Sequence, residues 1–101
     1  MNLPGQTDPD ALRFELNAGG SRVGFVEYYL FGEVAIVTHT EVTAGAEGQG
    51  RGAELVRQAL EYFRVQGKFV VPVCGFFAAQ IRRHPAYAQL LAAGCKRIFN
   101  L

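Results

Sequence analysis

The stretch Glu47-Gly48-Gln49-Gly50-Arg51-Gly52 alternates three glycines with polar residues, and an apolar periodic segment follows it. Glycines let a backbone come close to a bound group. If a helix begins here, its first amides are unpaired and carry partial positive charge. An anion such as pyrophosphate sits well against them. Arg51 adds charge, and Glu47 has to point away. Three further residues have useful chemistry. His39 has an unperturbed pKa of about 6.5 and can serve as a base near neutrality, or simply bond to the backbone within a strand. Glu41 has the same side-chain parity as His39; it can orient the imidazole, act as a second base, or stand solvated at the strand end. Cys74 is a nucleophile once deprotonated, or a small residue that fills space.

The elements that position these residues can be read from periodicity. Leu12, Phe14 and Leu16 alternate with Arg13, Glu15 and Asn17, as in a half-buried strand. A turn of Gly19 and Gly20 leads into an aromatic, β-branched strand over 22–32. Gly32 and Glu33 turn the chain into a third strand, 33–42. Three strands joined by tight turns make an antiparallel meander. The period then changes. Leu55, Val56, Ala59, Leu60 and Phe63 fall at helical spacing, so an amphipathic helix is expected over 51–66, capped at Gly67. The continuous apolar run at 68–74 reads as a buried strand. A strand, a helix and a strand suggest a right-handed crossover to a parallel neighbour. A helix over 76–83 should end near His84, because the residue before Pro85 is pushed out of helical space. A second helical piece is expected over 85–93, with proline in its first turn and Gly94 after it. The fold class is α+β: meander, crossover helix, parallel strand and C-terminal helices. Residues 1–11 read as a loose leader and 12–101 as one domain.

Composition narrows the function classes. Half of the 101 residues are hydrophobic, which argues against disorder. No apolar run reaches the ~18–20 residues of a membrane span, and the start is not patterned as a signal peptide. A cytoplasmic location without membrane partners is the expectation. Cys74 and Cys95 form no CxxC and no Cys/His cluster of zinc spacing, so free thiols and no metal are expected. Residues 1–50 hold two arginines against seven acids, whereas no acid follows Glu61. The second half can therefore hold an anion, or simply present solvated helix faces. The net charge of +1 is too small for a nucleic-acid binder.

Three phosphate motifs compete for the glycine stretch. A Walker A loop needs Gly-Lys-Ser/Thr, which is absent. A dinucleotide fingerprint is formally met by Gly48, Gly50 and Ala53, but the acid expected about 20 residues on is missing. The third is motif A of the GNAT superfamily of N-acetyltransferases, Q/R-x-x-G-x-G/A, which positions 47–52 resemble. Gly50 and Gly52 match, and Glu47 departs from the usual Gln or Arg. The order of elements matches as well. The likeness is closer to very small GNAT-like domains, on four blocks: "HTEV" at 39–42, the loop at 47, "PVC" at 72–74 and "RRHPAY" at 82–87. It covers about residues 12–92.

The resemblance implies acetyl-CoA as cosubstrate and an unidentified amine as acceptor. The loop residues Gly48, Gln49, Gly50, Arg51, Gly52 and Ala53, with Val42 before them, would hold the cofactor's pyrophosphate and pantetheine arm. The arm would lie between strands 33–42 and 68–74, which splay apart in that superfamily. Arg82 and Arg83 would reach the 3′-phosphate, or stand solvated at a helix end. Cys74, His39 and Glu41 become catalytic candidates. Cys74 would attack the acetyl group, with His39 close by, or protonate the departing thiolate. Two other readings stay open: a non-catalytic CoA or acyl-CoA binding module, and an interaction domain whose glycines only shape a turn. Either a monomer or a homodimer fits.

Overall fold

The computed structural model describes residues 8–45 and 50–101. Strand β1 (Leu12–Ala18) turns into β2 (Ser21–Phe31) through Gly19 and Gly20, and β3 (Val34–Val42) follows. Both turn glycines have positive φ, 59° and 80°, which the right-handed twist of a two-residue hairpin demands. Helix α1 (Arg51–Val65) crosses to β4 (Phe69–Pro72), and helix α2 (Gly75–Arg83), a 3₁₀ segment (Pro85–Leu90) and the short helix α3 (Cys95–Ile98) complete the chain. The sheet order is β1-β2-β3-β4, antiparallel for the first three strands and parallel between β3 and β4. This is the α+β architecture that the sequence implied.

One face of the sheet carries the helices. Leu55, Val56, Ala59, Leu60 and Phe63 are the buried stripe of α1. They pack with Val26, Tyr28, Ala35, Val37 and Val70 of the strands and with Phe77 and Ile81 of α2. The Tyr28 ring meets Phe63 edge-on, centroids 4.9 Å apart. Among the described residues no helix covers the other face. There Arg13 lies over the Phe25 ring at 4.1 Å, and Phe25 is buried by its neighbours although no helix covers it.

Two elements differ from the sequence expectation. The strand expected to run to Cys74 stops at Pro72, because the Val73 N–H turns back to the Val71 carbonyl at 3.1 Å and the chain enters the cap of α2. The helix expected over 85–93 is a 3₁₀ segment that stops at Leu90. Leu91 then turns extended and forms a parallel bridge with Val70, and the Ala92 N–H donates to the Val70 carbonyl at 2.9 Å. The outer edge of β4 needs backbone partners, and that demand outweighs local helix propensity. Among the described residues no helix is long and apolar enough to cross a membrane.

Surface pairs on α1 set the acid limb of stability. The Arg57 guanidinium and the Gln58 amide bond to Glu54 and hold its carboxyl down at about 2. Arg64 lowers Glu61 in the same way. A carboxyl depressed in the folded state stabilises above its unfolded pKa, and the gain fades as pH falls through the folded value. Tyr28 behaves oppositely. Burial first, and then Tyr62, push its hydroxyl up to about 12. Its contribution is complete below the unfolded value of about 10 and fades as pH rises toward 12. Melting temperature against pH should therefore show a plateau that falls below about 4.5 and above about 10. The acid fall is shallow because the pairs are half exposed, and Glu54→Gln should flatten part of it.

Candidate active site

The N-terminus of α1 is built by Gly50, whose φ of 72° is the left-handed region that glycine enters without strain. Among the described residues no side chain caps it. The first internal backbone bond runs from the Glu54 N–H to the Gly50 carbonyl at 3.1 Å, so the amides of Arg51, Gly52 and Ala53 precede the helical ladder. These residues line a cavity of about 310 Å³ together with Val42, Phe76, Gln80 and Arg83. Glu47, Gly48 and Gln49, the other half of the glycine motif, lie outside the described residues.

Helix α2 supplies the opposite wall. A Cβ placed on Gly52 would stand 2.7 Å from Cζ of Phe76 and 3.5 Å from Cγ2 of Val42. Glycine at 52 is what lets the Phe76 ring lie over the start of α1. Gln80 is only 7% exposed, yet it borders the cavity, and among the described residues its side-chain amide has no hydrogen-bond partner and keeps contact with solvent. Free amides, two arginines and the Gln80 carboxamide form a donor set that fits a phosphate or pyrophosphate. Arg82 is not part of it. Its guanidinium donates to the carbonyls of Phe99 (3.1 Å) and Asn100 (3.3 Å).

Beside this cavity the parallel strands part. Their pairing ends at Val37 and Pro72, and the Cys74 N–H makes the last bond, to the Val37 carbonyl at 2.9 Å. Beyond it β3 continues to Val42 paired with β2 only, while the chain after Pro72 turns into α2 with Cys74 as its N-cap residue. The Cys74 thiol donates to Oγ1 of Thr40 at 3.5 Å. Cys74 is half-buried and packs against the core, whereas Cys95 is buried and burial raises its thiol pKa.

His39 and Cys74, expected to be close, stand on opposite faces of the sheet. The cause is a bulge. Glu27 pairs with His39 but Tyr28 pairs with Val37, which leaves Thr38 as an extra residue on β3. Before the bulge, Ala35 and Val37 point into the core; after it, Thr40 points toward Cys74 and His39 turns to the open face. There its ring neighbours Phe25 at 6.0 Å, and Nε2 lies 3.4 Å from Oε1 of Glu41. Both side chains are more than half exposed. The parity shared by His39 and Glu41 is thus observed, but the partner of Cys74 is Thr40. Among the described residues no cluster of His, Cys, Asp and Glu could hold a metal.

Sequence reasoning missed Thr40, Phe76 and Gln80. Thr40 lies inside "HTEV", but only the bulge tells which of its residues faces the thiol. A polar residue on the inward stripe of α2, between Phe77 and Ile81, was the available signal for Gln80.

No curated protein matches the chain. A family model described as GCN5-related N-acetyl-transferase matches residues 13–90, which hold the meander, the α1 N-terminus, the strand gap and α2. The chain therefore belongs to the GCN5-related N-acetyltransferase family.

Proposed function

We propose that the protein transfers an acetyl group from acetyl-CoA to an amine, with the pyrophosphate at the start of α1 and the thioester in the gap between β3 and β4. The carrying observation is the cavity that joins the free amides of α1 to Arg51, Arg83 and Gln80, beside strands that part at Cys74. Gly50, Gly52, Ala53 and Val42 let the cosubstrate approach the backbone, and Arg83 adds charge from α2.

Aminolysis of a thioester forms a C–N bond and breaks a C–S bond. The attacking amine must lose a proton, and the departing thiolate must gain one. The two faces of the gap divide these tasks. Cys74, held by Thr40 on the helical face, supplies a proton to the thiolate. His39, with Glu41 beside it on the open face, takes the proton of the amine. Because the bulge separates His39 from Cys74, this arrangement favours direct transfer over an acyl-cysteine activated by His39. The protein is read as cytoplasmic, like its cosubstrate.

Thiol release from acetyl-CoA, followed over a panel of small amines and lysine peptides, tests the reading. Turnover with at least one amine is expected, and His39→Ala should shift the pH dependence of kcat upward as the base is lost. Binding of acetyl-CoA without turnover on any amine would leave a CoA-binding module instead.

A further inference from the structure

Strand β1 is an edge of the sheet. It pairs with β2 on one side, and among the described residues no backbone group bonds to its other side. An edge row of unpaired amides and carbonyls is a template for another strand, and proteins usually blunt it with proline, bulges, a covering segment or charged side chains, lysine above all. The seven residues Leu-Arg-Phe-Glu-Leu-Asn-Ala contain no proline or lysine, and their two charges, Arg13 and Glu15, are opposite in sign. The edge is also apolar on one face. Phe14 packs on Tyr62 of α1 at 5.4 Å, Leu12 and Leu16 share that face, and Leu12 and Tyr62 are 41% and 39% exposed. The opposite face carries Arg13 and Glu15.

We propose that β1 pairs antiparallel with β1 of a second copy, about a two-fold axis at Phe14, which joins two four-stranded sheets into one. Charge selects the register. Residues opposite each other in antiparallel strands point to the same face, so a two-fold axis normal to the sheet must pass by a residue rather than between two. With the axis at Phe14, Arg13 stands opposite Glu15 twice and Leu12 stands opposite Leu16 twice. With the axis at Arg13, two arginines oppose each other; at Glu15, two glutamates do. Opposite charges across a ladder stabilise and like charges directly opposed destabilise. Only the Phe14 register meets both the polar and the apolar demand. The Phe14 rings then meet at the axis, and both α1 helices lie on one side, which brings the Leu12–Tyr62 surfaces together. Glu15 is free enough to take part: its contact with Arg22 is 3.8 Å long and half exposed. The cavity at the start of α1 is on the β3 side of the sheet and stays open, so this association is independent of acetyl transfer.

Sedimentation velocity of the full chain across a concentration series tests the pairing. The mass should rise from 11.0 kDa toward twice that value at the highest concentrations. Arg13→Glu and Glu15→Arg should each hold the chain at monomer mass, and the double variant should associate again. Hydrogen exchange of the wild type gives a second reading that needs no variant. Amides of residues 12–16 should gain protection with concentration while those of β4 do not change. A wild type that stays at monomer mass, a double variant that folds but does not associate, or β1 amides indifferent to concentration would each overturn the proposal.

Discussion

Cys74→Ala is expected to lower acetyl transfer by about 100-fold or more while acetyl-CoA affinity changes little. The thiol stands where β3 and β4 part, fixed by its own backbone bond to Val37 and by the hydroxyl of Thr40. A positioned proton donor contributes typically 10²–10⁴-fold, and a hundredfold is about 2.7 kcal/mol of barrier. The side chain is small and half-buried, so the melting temperature should barely move. Steady-state rates at saturating acetyl-CoA measure the effect, and intact mass spectrometry distinguishes its origin. Direct transfer leaves no acetyl adduct on the wild type, whereas an acyl-cysteine route leaves one that the alanine variant lacks. Full turnover by the variant would remove Cys74 from the chemistry.

Gly24→Ala should have the largest effect on stability, about 3 kcal/mol or loss of the fold. Gly24 sits in β2 opposite Val42. An added Cβ would fall inside van der Waals contact of the Glu41 carbonyl oxygen. It would also stand 3.0 Å from Leu55 Cδ2 and 3.1 Å from Val42 Cα. Two of these three atoms are backbone, so no side-chain rotation relieves them. The end of β3 must move away from β2, and Glu41 and Val42 move with it. The same substitution should therefore weaken acetyl-CoA binding in whatever fraction remains folded. Thermal and urea unfolding check the first effect. A melting temperature within a degree or two of wild type would contradict the close packing of β2, β3 and α1.

The contrast between Gly24 and Gly50 shows what was legible in the sequence. Gly50 stands in a spaced motif between a strand and a helical stripe, and its role follows from local backbone geometry. Gly24 stands inside a strand pattern, and its role depends on what crosses above it. The meander, α1 and β4 were legible for the same local reason, since period-two and helical patterns are written in neighbouring residues. The bulge at Thr38 was not. "VAIVTHTEV" carries no local mark of a break, and strict two-residue parity places His39 with Val37 toward the helices. The pairing with β2 inserts one residue and sends His39 outward. The cavity was half legible. Val42, Gly50, Arg51, Gly52, Ala53 and Arg83 line one cavity, while Arg82 is taken by carbonyls of the chain end. Phe76 and Gln80 join them only because α2 docks against the start of α1. The 3₁₀ segment and the Leu91 bridge answer to the open edge of β4, a tertiary demand with no local mark.

Calorimetric titration with acetyl-CoA, on the wild type and on Arg83→Ala and Arg82→Ala, tests the central claim most directly. The cavity lined by the α1 N-terminus and Arg83 predicts saturable binding at one site. Arg83→Ala should weaken it about tenfold, the size of one charge-assisted hydrogen bond, and Arg82→Ala should leave it unchanged. No binding at millimolar acetyl-CoA, or equal losses from the two arginines, would contradict the account.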